Sequence, residues 1–293
     1  MAPVLLRPLV LVADDFALTP GVSRAILDLL SRRRLSGTGA MTNRPAWAEF
    51  ASALKAFDGE AELGLHLNLT AGAPLTAMPR LAPASRLPPL GALARAAASS
   101  AEARAEIAAE LDAQLDAFAV RMGRAPDFVD GHQHVHVLPG VRGAVLAACA
   151  RLPSRPWLRD PFETPGAVLV RGVAVAKALA ISALALGFAR AARGRGLETN
   201  ASFAGVSDFD PARDFRADMR RFLLAPRHPH LVMVHPGEAD DPDLAEVDPV
   251  AATRPLEARH LASNAFADDL SERGVRIGRF ADPPEVPLWP AKA

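Results

Sequence analysis

Short apolar segments alternate with helical patterns some seven or eight times along this chain. The first apolar segment, residues 8–14, is followed by PGVSRAILDLLSRRR, where Thr19 is a candidate N-cap and Pro20 holds the first helical position. Such alternation predicts a parallel sheet with helical crossovers. No glycine-rich phosphate fingerprint follows the first strand, which disfavours a nucleotide-binding open sheet of similar length. We therefore predict an α/β fold, a distorted TIM-like (β/α) barrel with a parallel sheet of about seven strands.

The other predicted elements follow the same alternation. Helices are expected at residues 46–57 and 101–122, and further strands at residues 37–43, 62–70, 127–130, 157–160, 200–203, 231–234 and 275–280. A Pro-rich stretch at about 72–90 predicts a long loop. Since no linker divides the chain, we expect residues 1–293 to form a single domain.

Composition excludes several classes of function. The chain has 33 basic and 33 acidic residues, so it lacks the electrostatic footprint of a nucleic-acid-binding protein. Its single cysteine, Cys149, suits a reducing cytoplasm. The N-terminal sequence lacks the features of a signal peptide, and we expect a cytoplasmic protein.

The apolar stretch at about 174–192 carries Lys177 and Arg190, which leaves too few uncharged residues for stable membrane insertion and predicts a buried or partly interfacial helix.

Polar residues gather where the predicted strands end. In a parallel barrel all carboxyl ends of the strands face one rim, where active sites are assembled. Each residue taken alone has an ordinary explanation as a turn, a cap or a core histidine, but their joint placement predicts one site rich in histidine and aspartate. Five of the eight histidines are among these residues, which lie in, beside or just after six predicted strands. The full set is Asp14, Asp15, His66, Asn68, Asp130, His132, His134, His136, Arg159, Asp160, Asn200, Ser202 and His235.

The adjacent carboxylates of Asp14 and Asp15 require a particular environment, because two neighbouring negative charges at a buried strand end repel each other. A divalent cation would stabilise the pair. A carboxylate with two imidazoles and open positions for water is a ligand set for a catalytic ion such as Zn²⁺. One aspartate would then bind the ion, the other would act as general base, and a separate histidine would protonate the leaving group during hydrolysis of an amide or ester.

Four motifs resemble one known family. They are ADDFALTPGVSRAI, GLHLNLTAGAPL, VDGHQHVHVLPGV and MVHPG, in this order between residues 13 and 237. Together they resemble the YdjC-like family, also called the ChbG/HpnK carbohydrate deacetylases. The resemblance implies a distorted barrel related to the NodB-type polysaccharide deacetylases. It also implies removal, with a divalent metal, of an N-acetyl group from a chito-oligosaccharide or an N-acetylglucosaminyl glycoconjugate.

The resemblance also implies roles for individual residues. Asp15, His66 and His132 would bind one divalent metal ion, Mg²⁺ or Zn²⁺. Asp14 would be the base and His235 the acid, while Arg159 with Asp160 would hold the base or the substrate. The further candidates for substrate contact are Asn68, His136, Asp160 and Trp157.

The conformation of HQHVH stays open at this stage. If residues 131–137 are extended, His132, His134 and His136 share one face; if they form a helical turn, His132 and His136 lie together. The sequence assigns no role to His134.

Two departures from the family pattern bear on the site. Ala17 stands where the family usually has glycine, so this turn must have a negative φ or be strained. Glu238 follows HPG, where the family often places an aromatic residue, and the chain has no tyrosine. Sugar stacking would then depend on phenylalanine or on Trp47, Trp157 or Trp289.

Two other functions fit the same residues. One is another metal-dependent amide or ester hydrolase on this barrel, and the other is a non-catalytic carbohydrate- or lipid-binding protein. The family often forms dimers, although nothing in the sequence locates a dimer interface.

Overall fold

The computed structural model describes residues 5–284 and 286–287. Within these ranges, seven parallel strands form a curled sheet in the order β5-β4-β3-β2-β1-β7-β6, which confirms the predicted TIM-like barrel. The strands are β1 Leu5–Phe16, β2 Gly37–Ala40, β3 Glu62–Leu67, β4 Phe128–Gly131, β5 Trp157–Leu158, β6 Ser202–Ala204, β7 His230–Val234, β8 Val275–Ile277 and β9 Val286–Pro287.

Helices connect successive strands and pack against the sheet. Thr19 caps α1 as predicted, since its side chain accepts a hydrogen bond from the Val22 N–H, and Pro20 begins the helix. The helices are α1 Pro20–Ser31, α2 Pro45–Lys55, α3 Leu90–Ser99, α4 Ala101–Met122, α5 Arg142–Arg151, α6 Pro165–Arg171, α7 Val175–Ala185, α8 Phe188–Arg193, α9 Phe215–Phe222, α10 Leu244–Val247, α11 Arg254–Ala262 and α12 Asn264–Glu272.

The two outer strands of the sheet approach each other. The Leu158 N–H of β5 donates a hydrogen bond of 2.8 Å to the Glu198 carbonyl, and Leu158 forms a bridge with Thr199, just before β6. This contact curls the sheet towards closure. Strand β8 pairs in parallel with Arg7–Leu9 at the start of β1, and β9 pairs antiparallel beside it.

Strand β1 lies at the centre of the core. Residues Leu9–Ala13 are at most 1% exposed, because helices and neighbouring strands cover both faces. One apolar cluster joins β1 and β2 to α1, α2, α11 and α12, and a second joins β3 and β4 to α3, α4, α5 and α8. A strand buried on both sides requires a continuous apolar run, which is what LVLVA provides.

Four helices differ from the sequence prediction. The apolar helix expected at 174–192 is divided into α7 and α8 at Leu186–Gly187, and Gly187 has a φ of 81° that ends a helix without steric cost. The sequence analysis missed α3 and α6. Ser100 separates α3 from α4, because its extended backbone ends the first helix while its hydroxyl caps the second by accepting from the Ala103 N–H.

Candidate metal centre and active site

Strand register brings the polar residues together at one rim. His66 of β3 is the direct neighbour of Asp130 of β4. Val129 pairs with Leu158, so Arg159 follows β5 beside Asp130. Ala13 of β1 pairs with Val234 of β7, which places Asp14 beside His235.

The three side chains assigned to a metal converge. Asp15 Oδ1 lies 2.8 Å from His132 Nδ1 and 3.2 Å from His66 Nε2. One ligand atom from each residue lies within 4.8 Å of the other two. Asp15 and His66 are buried, whereas His132 is partly accessible, so the cluster is reached from the His132 side.

Asp130 orients His66 towards this cluster. Its Oδ1 accepts a 2.7 Å hydrogen bond from His66 Nδ1, which leaves Nε2 as the atom that faces Asp15. A carboxylate behind a histidine is the usual support of a metal-binding imidazole. Gly39 of β2 makes room for the pair, since a Cβ there would lie 3.1 Å from both Asp130 Oδ1 and His66 Cβ.

Asp14 is held by Arg159 rather than by the three-residue cluster. The Arg159 guanidinium contacts the two Asp14 oxygens at 2.5 and 2.6 Å and Asp130 Oδ2 at 2.6 Å. Burial raises the pKa of Asp14, but Arg159 outweighs burial and, with help from the neighbouring histidines, lowers that pKa to about 2. Asp14 is therefore ionised at neutral pH and fixed in orientation.

The charge of the whole cluster fits a divalent cation. Four buried aspartates face two buried arginines, so two negative charges are uncompensated, and burying unpaired charge is costly. The nearby carboxylates outweigh burial and raise the pKa of His66 to about 10. His66 is therefore protonated, and its proton supplies part of the positive charge that a bound cation would bring. One nitrogen from each of two histidines and one carboxylate oxygen are suitable Zn²⁺ ligands, so the residues fit the ion. The charged members are Asp14, Asp15, Asp130, Asp248, Arg159 and Arg254.

Helix α11 supplies functional residues that the sequence analysis missed. Arg254 is fully buried and joins Asp15 Oδ2 to Asp248 Oδ2, with both contacts at 2.5 Å. Glu257 accepts a 2.6 Å hydrogen bond from the His235 main-chain N–H. One signal in the sequence was available. The spacing of Arg254, Glu257 and Leu261 places all three on one face of the helix, and the apolar Leu261 indicates that this face is buried.

His235 lies at the edge of the same cluster. Its Nε2 is 3.8 Å from Asp14 Oδ2, and its ring meets the Phe209 ring edge to face at a centroid distance of 5.1 Å. Burial lowers the pKa of His235 to about 4, so the ring is neutral at pH 7.

HQHVH adopts neither of the two conformations considered from the sequence. Residues 132–137 are a 3₁₀ segment with a kink, because Gln133 and His134 have φ values of 54° and 57° in the left-handed region and so interrupt a regular helical turn. As a result the three histidines point to different partners. His132 faces Asp15, His136 Nε2 lies 2.9 Å from the Arg159 main-chain carbonyl, and His134 packs edge to face on Phe203.

The remaining predicted substrate contacts lie outside the metal cluster. The Asn68 side-chain amide donates hydrogen bonds to Asn43 Oδ1 and the Ala71 carbonyl and accepts from the N–H groups of Thr70 and Ala71. These bonds organise the loop after β3. The Asp160 carboxylate accepts from the Phe162 N–H, and burial raises its pKa to about 6.

Neither of the two tryptophans that the structure describes lies at the cluster. The Trp157 ring is stacked between Phe128 and Phe280, at centroid distances of 4.5 and 4.6 Å. Trp47 packs on Phe118. Trp289 lies outside the described residues.

The turn after the two aspartates is strained. Ala17 has a φ of 71° and Asp15 a φ of 67°, so the second of the two options for Ala17, a strained turn, applies. The Ala17 N–H donates to Ser23 Oγ at 3.1 Å, which ties the turn to α1. Strain of this kind gathers where a side chain must be aimed precisely.

The curled parallel sheet and the aspartate–histidine cluster at its rim define an α/β barrel protein with a candidate divalent-metal site. A family model described as YdjC-like protein matches residues 8–272. The chain belongs to the YdjC-like family.

Individual relatives agree with this membership. The chain is 38% identical over 156 residues to proteins named chitooligosaccharide deacetylase from Yersinia pestis (strain Pestoides F) and Yersinia pseudotuberculosis serotype O:3 (strain YPIII). That match covers 53% of this chain and 60% of each relative. A crystal structure from Enterococcus faecalis V583, of a protein proposed to cleave cellobiose phosphate, has the same fold, with a TM-score of 0.70, 20% identity and coverage of 94% of this chain and 98% of that one.

Proposed function

We propose that this protein is a divalent-metal-dependent carbohydrate deacetylase that removes an N-acetyl group from an amino sugar. The proposal depends above all on one arrangement: Asp15, His66 and His132 converge beside an aspartate, Asp14, that an arginine keeps ionised. Membership of the YdjC-like family and relatives named chitooligosaccharide deacetylases support the substrate class.

Asp15, His66 and His132 would hold the metal. When bound, a divalent ion polarises the amide carbonyl and lowers the pKa of water, which are the two demands of amide hydrolysis at neutral pH. Two imidazoles in the ligand set favour Zn²⁺ over Mg²⁺, which prefers an all-oxygen environment.

Asp14 acts as the general base. Its carboxylate accepts a proton from the water that attacks the amide carbon, and Arg159 fixes the orientation of both carboxylate oxygens. Because Arg159 also contacts Asp130, which orients His66, the base and the metal ligand share one rigid network.

His235 acts as the general acid. Since burial keeps its ring neutral, the ring must first take up a proton before it can give one to the departing amine. Asp14 Oδ2 is 3.8 Å away, so a small rotation of the His235 ring brings the protonated Asp14 within hydrogen-bonding distance. The proton taken from water thus reaches the amine nitrogen through these two residues, and the products are acetate and a free amine.

Acetate release from N-acetylated chito-oligosaccharides tests the proposal. We expect purified protein to release acetate, a chelator to abolish the release, and Zn²⁺ to restore it. Asp14→Asn should retain the metal without turnover, whereas Asp15→Asn should lose both, as measured by metal analysis and acetate assay. Asp112→Asn, an exposed residue in a surface ion pair with Arg151, is the matched control. Turnover that survives chelation, or full activity of Asp14→Asn, would refute the mechanism.

A further inference from the structure

The segment from α6 to α8 has an exposed apolar surface. Among the described residues, seven large hydrophobic side chains are exposed, and four of them lie between residues 169 and 186. Their exposed fractions are 64% for Leu169, 58% for Val170, 46% for Leu184 and 67% for Leu186. Apolar side chains gathered on one surface mark an interaction site more often than scattered ones do.

Helix α6 carries Leu169 and Val170, α7 carries Leu184, and Leu186 directly follows α7. The chain turns back between the two helices, and the Glu163 N–H just before α6 donates 3.1 Å to Ser182 Oγ near the end of α7. The exposed small or apolar residues of α7 recur every three or four positions and so form one face. They are Ala176, Ala180, Ala183 and Leu184.

The same segment is strongly basic. Residues 164–197 contain five basic residues and no acidic residue, although the chain as a whole has 33 of each. Arg190, Arg193 and Arg195 are exposed, and within the described ranges none of them forms a salt bridge. We call the surface formed by Leu169, Val170, Leu184, Leu186 and these three arginines the apolar–basic face.

The apolar–basic face is unsuited to crossing a bilayer. The stretch Val175–Arg193 is long and apolar enough to do so by length and composition, and only 22% of it is buried. Gly187 nevertheless divides it, and the 11 residues of α7 span about 16 Å, roughly half of a hydrocarbon core. Short helices with exposed apolar residues beside free arginines match the surface of a membrane.

We propose that the apolar–basic face docks on the surface of an anionic phospholipid bilayer. The leucine and valine side chains would enter the boundary between headgroups and acyl chains, and the arginines would bind lipid phosphates. A second copy of this chain is a poorer occupant, because a two-fold contact uses the same surface on both copies, and the apolar–basic face has no acidic residue to pair with the arginines of its partner.

Docking would hold the candidate active site close to the membrane. Lys177 of α7 donates 2.8 Å to the Ser207 carbonyl and lies 4.4 Å from the centre of the Phe209 ring. Phe209 in turn contacts His235. The docking proposal does not depend on the proposed reaction, since a protein without turnover would bind vesicles equally well.

Co-sedimentation with lipid vesicles tests the proposal on the whole protein. We expect binding to vesicles of phosphatidylcholine with phosphatidylglycerol, weaker binding as salt is raised, and little binding to phosphatidylcholine alone. Leu184→Glu and Leu186→Glu should each weaken binding at least about tenfold. Replacing Arg190, Arg193 and Arg195 by Gln should weaken it about fivefold per arginine.

Val120→Glu is the matched control, because Val120 is 81% exposed on α4, outside the apolar–basic face, and its replacement should leave vesicle binding unchanged. Circular dichroism establishes that each variant is folded, and the arginine variants alter only exposed side chains. Equal binding to both kinds of vesicle, or to neither, overturns the proposal. So does a concentration-dependent dimer that Leu186→Glu dissociates, which would identify a second copy as the occupant.

Discussion

The guanidinium of Arg159 contacts both carboxylate oxygens of Asp14, at 2.5 and 2.6 Å, and Arg159 is fully buried whereas Asp14 keeps 3% exposure. Paired N–H donors of this kind are among the strongest hydrogen bonds in proteins and fix the plane of the carboxylate. Without the arginine, burial would raise the pKa of Asp14. The ionisation of the proposed base thus depends on a residue 145 positions further along the chain.

Arg159→Lys should reduce the rate of acetate release by about a hundredfold, because a lysine cannot hold both Asp14 oxygens. The pKa of Asp14 should rise, and since the base must be ionised, the acidic limb of the pH–rate profile should move to higher pH. The profile of kcat/KM against pH measures both effects. Arg151→Lys, in the surface pair with Asp112, should change neither. An unshifted acidic limb in Arg159→Lys would show that Asp14 is not the base.

Asp130→Asn should weaken Zn²⁺ binding about 10- to 100-fold, the usual effect of removing the carboxylate behind a metal-binding histidine. Asparagine cannot offer the ionised oxygen that accepts from His66 Nδ1 at 2.7 Å. Calorimetric titration with Zn²⁺ measures the change without reference to turnover. An unaltered dissociation constant would mean that His66 needs no such support, or binds no metal.

Ala17→Gly should stabilise the protein by about 1 kcal/mol, because glycine adopts the observed φ of 71° without steric cost. Thermal unfolding should show a rise in Tm of about 2 °C. Ala25→Gly, within α1, provides a comparison of opposite sign, since glycine destabilises a helix interior. A loss of stability in Ala17→Gly would show that the turn is not strained by its side chain.

Glu62 should make stability depend on pH. Burial raises the pKa of this carboxyl to about 7, although its oxygens accept from the Phe280 N–H at 3.1 and 3.3 Å. The folded state therefore binds the proton more tightly than the unfolded state, and stability falls as pH rises from about 4.5 to 7.

Glu62→Gln should remove this loss, because glutamine stays neutral and can still accept from Phe280. The variant should match the wild type near pH 4.5 and be more stable by about 3 kcal/mol at pH 8. Urea unfolding across this range measures the difference, and the exposed Glu60→Gln serves as control. Parallel pH dependences of the wild type and Glu62→Gln would contradict the assignment.

The sequence was sufficient for the barrel and for much of the rim. In β1, β5 and β7 a short apolar run leads into a polar residue (Asp14, Arg159 and His235), and parallel topology brings such ends to one side. Topology thus predicted that polar residues far apart in the chain meet at one rim, whereas the choice of Asp15, His66 and His132 as ligands came from the resemblance to the YdjC-like family.

The backbone conformation of HQHVH and the packing of α11 against the rim could not be predicted in the same way. HQHVH places two successive non-glycine residues at positive φ, which is uncommon even for a single such residue. Arg254 and Glu257 follow no strand, and only the docking of α11 brings them to Asp15 and His235. Asn68 was a candidate for substrate contact, but its side-chain amide hydrogen-bonds the main chain of its own loop at Ala71.

The pairing of His66 directly with Asp130 has a consequence for how this barrel can vary. Side chains of a strand alternate between its two faces, so sliding β4 by a single residue would turn Asp130 outward and disconnect it from both His66 and Arg159. Insertions and deletions are thus tolerable in the connecting loops but not inside the strands. Changes of substrate preference should accordingly be sought in loop length and composition, while the strands keep their spacing.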